Sequence, residues 1–186
     1  MKRSGTNKWA ILSIILAAAL CLASTGYFMA LAQNSKLRQE AASHLNAEWY
    51  QLYRLSELVD KNFVQRNFSN GTKYQLYVNQ ACNHFSSGVT PSELSADMRR
   101  LLVEAYDPLF TDLSLEKDTL NRDKASEILK DMNDTLFSVA KSIVDMQDRQ
   151  KEKLLDSNSP EYLVLTKQVK AAAEKYVKLV DDYFKR

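Results

Sequence analysis

Between Trp9 and Ala32 the chain runs for 24 residues without a charge or a proline, and Lys2, Arg3 and Lys8 precede that run. As a helix it would reach about 36 Å at ~1.5 Å per residue. That is enough to cross a hydrocarbon core of ~30 Å with some tilt. Everything after Ala32 is polar by comparison and carries a helical period. An all-α chain follows: an N-terminal transmembrane or signal helix, then an antiparallel bundle of four to five helices.

Two readings of the apolar run compete. As a signal peptide it has a basic start, an apolar stretch from Trp9 to Ala23, and Ala30-Leu31-Ala32 as a small-x-small cleavage site before Gln33. As an uncut signal-anchor it resumes its apolar character after Ser24, Thr25 and Gly26 with Tyr27, Phe28 and Met29, residues bulky for a cleavage region. No helix breaker separates Gly26 from the helical pattern that follows, which favours the anchor. A lipoprotein is disfavoured because Leu20 precedes Cys21 where a small residue is wanted. The organisation expected is a cytoplasmic tail over 1–8, the span over 9–32 and an extracytoplasmic domain over 33–186. The orientation follows from the basic residues, which are denser before the span than at Lys36 and Arg38 after it.

The domain from Gln33 onward is one domain's worth of chain. Of 25 Lys and Arg, three precede position 33, which leaves a net of −1 against 23 Asp and Glu. Such an evenly mixed surface gives no reason to expect nucleic acid as a partner. Four glycines and three prolines, among many Ala, Leu, Lys and Glu, point to helix throughout. Cys21 lies in the apolar run, so Cys82 is the single thiol of the domain and no disulfide framework exists. It falls on an apolar stripe and reads as a small buried residue.

Period-3.6 patterning marks five helical segments. The first, about Ser35 to Arg66, carries the stripe Leu45, Trp49, Leu52, Val59 and Phe63, widened by Tyr53 and Leu55. A turn over Asn67 to Thr72, sharpest at Asn70-Gly71, leads to a short second helix from Tyr74 to Phe85. The third has Thr90 as N-cap, Pro91 at N1 and Glu93 at N3, the layout of a capping box. Its stripe runs from Leu94 to Leu109; Pro108 ends or kinks it, and Phe110 to Leu120 reads as loop with room for one helical turn. The fourth keeps heptad spacing from Ala125 through Leu136 and Ile143 to Leu154, which leaves Lys151 on the surface. Ser159 caps the fifth, with Pro160 at N1, Glu161 in the first turn, and Tyr162, Val169, Tyr176 and Tyr183 among its apolar positions. Amphipathic helices joined by short loops are what a bundle needs.

Candidate chemistry is sparse. Glu40, His44 and Glu48 fall at i, i+4 and i+8 on one helix face and could present ligands to a cation, but three ligands on one helix do not close a tetrahedral site. A solvated face is the expectation, and no metal or cofactor is assigned. No nucleophile matches a histidine by local motif, and there is no phosphate loop or H-E-x-x-H. The chain therefore reads as non-catalytic. The sequons at Asn67, Asn70 and Asn133 matter only in a host that glycosylates on export. Trp49, Tyr50 and Tyr53 form the candidate interaction patch, with Tyr50 as the member off the apolar stripe and therefore outward.

A short tail, one span and a helical domain make a layout similar to that of many small envelope proteins and of bacterial receptor sensor domains. It is too generic to transfer any residue role. Three functions fit: a membrane-anchored interaction or scaffold module, favoured; an extracytoplasmic ligand-binding module that signals through a partner; or a secreted helical protein released after Ala32. Partners follow: membrane lipid along residues 9–32, and a protein or a second copy at the domain.

Overall fold

The computed structural model describes residues 8–65, 71–114 and 121–185, with side chains except at 8–15, 18, 62–65, 71–74 and 114. Among these residues there is helix and no strand. The order is α1 (Lys8–Gln65), α2 (Gly71–Ser87), α3 (Ser92–Arg100), a π-helical segment (Leu101–Tyr106), α4 (Asp107–Ser114), α5 (Arg122–Val144), α6 (Asp148–Leu154) and α7 (Pro160–Phe184). The chain divides into two units, Met1–Glu40 and Ala41–Arg186.

The first unit contains the N-terminal part of α1. Its large apolar side chains are exposed, among them Leu16, Leu20, Leu22, Phe28 and Met29. Ser24 and Thr25 return their hydroxyls to the Cys21 carbonyl at 3.0 and 2.8 Å, which hides two polar groups against the backbone. Among the described residues no helix is long and apolar enough to cross a membrane. Much of the first half of the Trp9–Ala32 run has side chains outside those described.

The second unit is a helical bundle. The later part of α1 meets α2 through Trp49 and Phe85, and meets α5 through Tyr53 and Phe137. Helix α7 packs on α3, the π segment, α5 and α6, while α2 packs on α3 and α4. The apolar positions read from sequence are the core: Leu45, Trp49, Leu52, Leu55 and Val59 of α1, Leu94, Met98, Leu102 and Leu109 of the α3–α4 run, Leu129, Leu136 and Ile143 of α5, and Val169, Tyr176 and Val180 of α7 are all buried. Phe63, Tyr74, Asn67 and Asn70 lie outside the described residues or side chains.

Inside this core a polar chain crosses three helices. Tyr106 donates to Asn133 Oδ1 at 2.8 Å, and Asn133 Nδ2 donates to the Ser56 carbonyl at 3.0 Å. Asn133 is thus a buried tie between α1, α5 and the π segment, closed to glycosylation in the folded chain.

Several boundaries differ from the sequence reading, each for a local reason. Gly71 and Thr72, read as turn, open α2. Thr90 does not cap α3. Pro91, whose ring has no acceptor to offer, takes the N-cap position without a side-chain bond, and the Thr90 hydroxyl goes to Glu48. Pro108 does not end the third helix. The Asp107 N–H reaches back five residues to the Leu102 carbonyl, and this widened turn admits a proline ring that would collide with the carbonyl four residues before it in a regular helix. Phe110 and Leu113, read as part of a loop with at most one helical turn, are therefore helical and buried.

The fourth helix breaks at Asp145–Gln147, where Gln147 turns extended and its N–H donates to Gln150 Oε1 at 3.1 Å. The break shifts the phase of α6 and turns Lys151 inward. Its ammonium then donates to the Val144 carbonyl at the end of α5, at 3.1 Å. Ser159 caps α7 as expected, accepting from the Tyr162 N–H at 3.1 Å.

Candidate functional site

The aromatic set on α1 splits between core and surface. Trp49 is fully buried, edge-on to Phe85 with centroids 5.1 Å apart, so it offers no surface to a partner. Tyr50 is 43% exposed. It stacks on Tyr53 at 6.0 Å, and Tyr53 stacks on Phe137 of α5 at 5.2 Å. The surface feature is therefore a ladder of three rings, Tyr50–Tyr53–Phe137, laid across α1 and α5. Phe137 was not legible as its third member, because nothing local in sequence links positions 53 and 137.

Glu40, His44 and Glu48 occupy three different environments. Glu40 pairs with Lys36 at 3.8 Å, and His44 is exposed. Glu48 is 3% exposed, which corrects the expectation of a solvated face. Its Oε1 accepts from the Val89 N–H at 2.5 Å, and its Oε2 accepts from the Thr90 N–H and hydroxyl at 3.2 and 2.5 Å. Gly88 passes so close that a Cβ there would overlap this carboxylate and the His84 carbonyl. The group is a clasp that holds the α2–α3 loop on α1. Among the described residues no three His, Cys, Asp or Glu gather as metal ligands. Cys82 is buried, and that burial pushes its thiol above the usual range, against the opposing pull of Arg99. Such a thiol is protonated and unreactive at neutral pH.

One open feature was not anticipated. Along the antiparallel seam of α5 and α7 lies a groove of about 800 Å³, floored by Ser138, Val139, Ala171 and Ala172. A second hollow of about 420 Å³ continues it toward Pro160 and Met146, and the two share Ser142 and Gln168. The small side chains at these positions are the reason the seam is not filled. At the far end Lys175 binds Asp131 at 2.6 Å, and the Tyr176 hydroxyl lies 2.8 Å from Thr135 Oγ1 and 3.0 Å from Asp131 Oδ2. The ammonium of Lys175 holds the Asp131 carboxyl below the usual carboxylate range. These bonds also fix the register, with Asp131 and Thr135 level with Lys175 and Tyr176.

Three buried polar side chains are engaged in structure, Glu48 in the clasp, Asn133 in the core tie and Lys151 at the end of α5, whereas Trp49 Nε1 and the Ser56 and Thr166 hydroxyls are buried without a hydrogen-bond partner among the described residues. Comparison with known protein families, curated proteins and solved structures returns no match.

Proposed function

We propose that this chain is a single-pass, membrane-anchored helical protein of the cell envelope that works by contact rather than by catalysis. In this reading residues 1–8 lie in the cytoplasm, residues 9–32 form a retained signal-anchor, and the bundle stands on the other side of the membrane. The observation that carries it is the exposure of apolar side chains on α1. Leu20, Leu22 and Met29 are each 70% exposed or more, within a run that holds no charge from Trp9 to Ala32. Leaving such surface in water costs about 25 cal/mol per Å², and a bilayer removes that cost. The helix also continues past Ala32 without interruption to Gln65, so the small-x-small sequence sits inside regular helix.

The contact reading is supported by two unoccupied surfaces on the bundle, the Tyr50–Tyr53–Phe137 ladder and the α5/α7 groove. Rigid aromatic rings and an open seam are features that partner chains bind.

The test is fractionation of the natively expressed chain, combined with crosslinking from a photoreactive residue at position 50. The protein should remain in the membrane pellet after an alkaline carbonate wash. Position 50 should capture another polypeptide in intact cells more strongly than exposed Asn83 does. Recovery in the soluble fraction, or equal capture at the two positions, would overturn the reading.

A further inference from the structure

We infer that the α5/α7 groove receives an amphipathic helix of another protein, laid along the seam with a basic side chain against Asp134. The inference rests on the contact reading above and gives the chemistry of the partner. The groove and the hollow that continues it run from Asp134 to Met146 on α5 and from Tyr176 back to Pro160 on α7. At ~1.5 Å per residue that is about 18–24 Å, the length of a helix of roughly 12–16 residues.

Polarity and charge vary along this length. The far hollow is apolar, walled by Met146, Leu154, Val164 and Leu165, and Val164 is 59% exposed. Its one charged wall residue, Glu161, is held by Lys153 at 2.5 Å. Midway, Ser142 turns its hydroxyl onto the Val139 carbonyl at 2.7 Å. At the other end Lys175 is held by Asp131, and the Thr135 hydroxyl meets that of Tyr176. Asp134 is the exception. It lines the groove, is exposed, and has no ion pair or hydrogen bond among the described residues. An occupant that complements the groove therefore brings a cation to the Asp134 end and apolar surface to the other, and an acidic group beside Asp134 is repelled.

The walls select the form of that occupant. Both are helices whose backbone groups bond within themselves, so an extended segment finds no N–H or C=O to pair with. A lipid chain would lie with one flank in water, because the groove is open to solvent along its side. A helix closes its own backbone bonds, buries one face and leaves the other wet. The floor of Val139, Ala171 and Ala172 is made of short side chains, which leaves room for larger apolar side chains of the incoming helix.

The experiment uses the full-length chain in intact cells, with a photoreactive residue in place of exposed Gln168 and mass spectrometry of whatever segment it captures. Position 168 should capture a segment of another protein with apolar residues recurring every three to four positions and a Lys or Arg near one end. Asp134→Lys should lower that capture by about tenfold, and changing the mapped basic residue of the partner to Glu should restore it in that variant. Ala171→Phe fills the floor and should abolish capture. Both positions are exposed, so neither change threatens the fold. Capture of a second copy of this chain, of lipid alone, or of a segment lacking the apolar period or the basic residue would overturn the inference. So would capture no stronger than from the Asn83 position, or capture unchanged in Asp134→Lys. Membrane retention and capture from position 50 are read in the same cells. If they persist while position 168 fails, only this inference falls.

Discussion

Both oxygens of the Glu48 carboxylate are taken by the α2–α3 loop, and the loop comes close enough only because residue 88 has no side chain. Removing the carboxylate strands two backbone donors in a largely buried place. Glu48→Ala should therefore cost roughly 2–4 kcal/mol, the range for a lost charged acceptor with partners left behind. Gly88→Ala should also destabilise, and the double variant should fall well short of the sum, since without the carboxylate most of the overlap is gone. Urea unfolding of the three variants checks this, and strict additivity would mean the two residues do not share one contact. Lys151 makes a matching case. It lies under α6 with its ammonium on the Val144 carbonyl, so Lys151→Ala should cost about 1–2 kcal/mol while exposed Lys130→Ala stays within about 0.5. Equal effects would return Lys151 to the surface.

At the scale of elements, apolar spacing carried most of the information. Leu94, Met98, Leu102, Leu129, Leu136 and Val169 are core because the period of a helix permits little else. What was not legible depended on partners far away in sequence. Thr90 looks like a cap until Glu48 claims its hydroxyl, and Pro108 looks like a terminator until a π turn makes room for it. The α5/α7 groove is a property of two helices at once, so small residues on either one alone say nothing about it. The end of α7 offers a test that depends on pH. Tyr183 donates to Asp112 of α4 at 2.6 Å, and desolvation together with that carboxylate pushes its phenol up to about 12. The unfolded phenol titrates near 10, so the folded state holds its proton more tightly. Its stabilising contribution is complete below pH ~10 and is lost as pH rises toward about 12. In an alkaline unfolding series Tyr183→Phe should be less stable than the parent chain at pH 9, and the gap should close above pH 11. A constant gap across that window would mean the hydroxyl is not tied to Asp112.

At the scale of the whole molecule the decisive matter is whether residues 1–32 stay attached. A cleavage enzyme needs its substrate extended around the scissile bond, with small side chains just before it. Ala30 and Ala32 supply the small side chains. They are preceded by Tyr27 and Phe28, whose rings meet edge to face at 6.1 Å, and the backbone from Lys8 to Gln65 is helical throughout. Gly26 is the residue best able to break that helix, and Ser24 and Thr25 before it fold their hydroxyls back onto the same turn rather than away from it. Extending the cleavage region would therefore require unwinding helix inside the apolar run, and in the proposed anchored state the freed N–H and C=O groups would have no water to turn to. The mature protein should keep its first residues, and the intact mass of the natively expressed chain should equal that of the full sequence, allowing only for loss of the initiator Met. A mass matching a chain that begins at Gln33 would show that the helix opens there in the cell. It would replace the proposed membrane anchor with a secreted bundle.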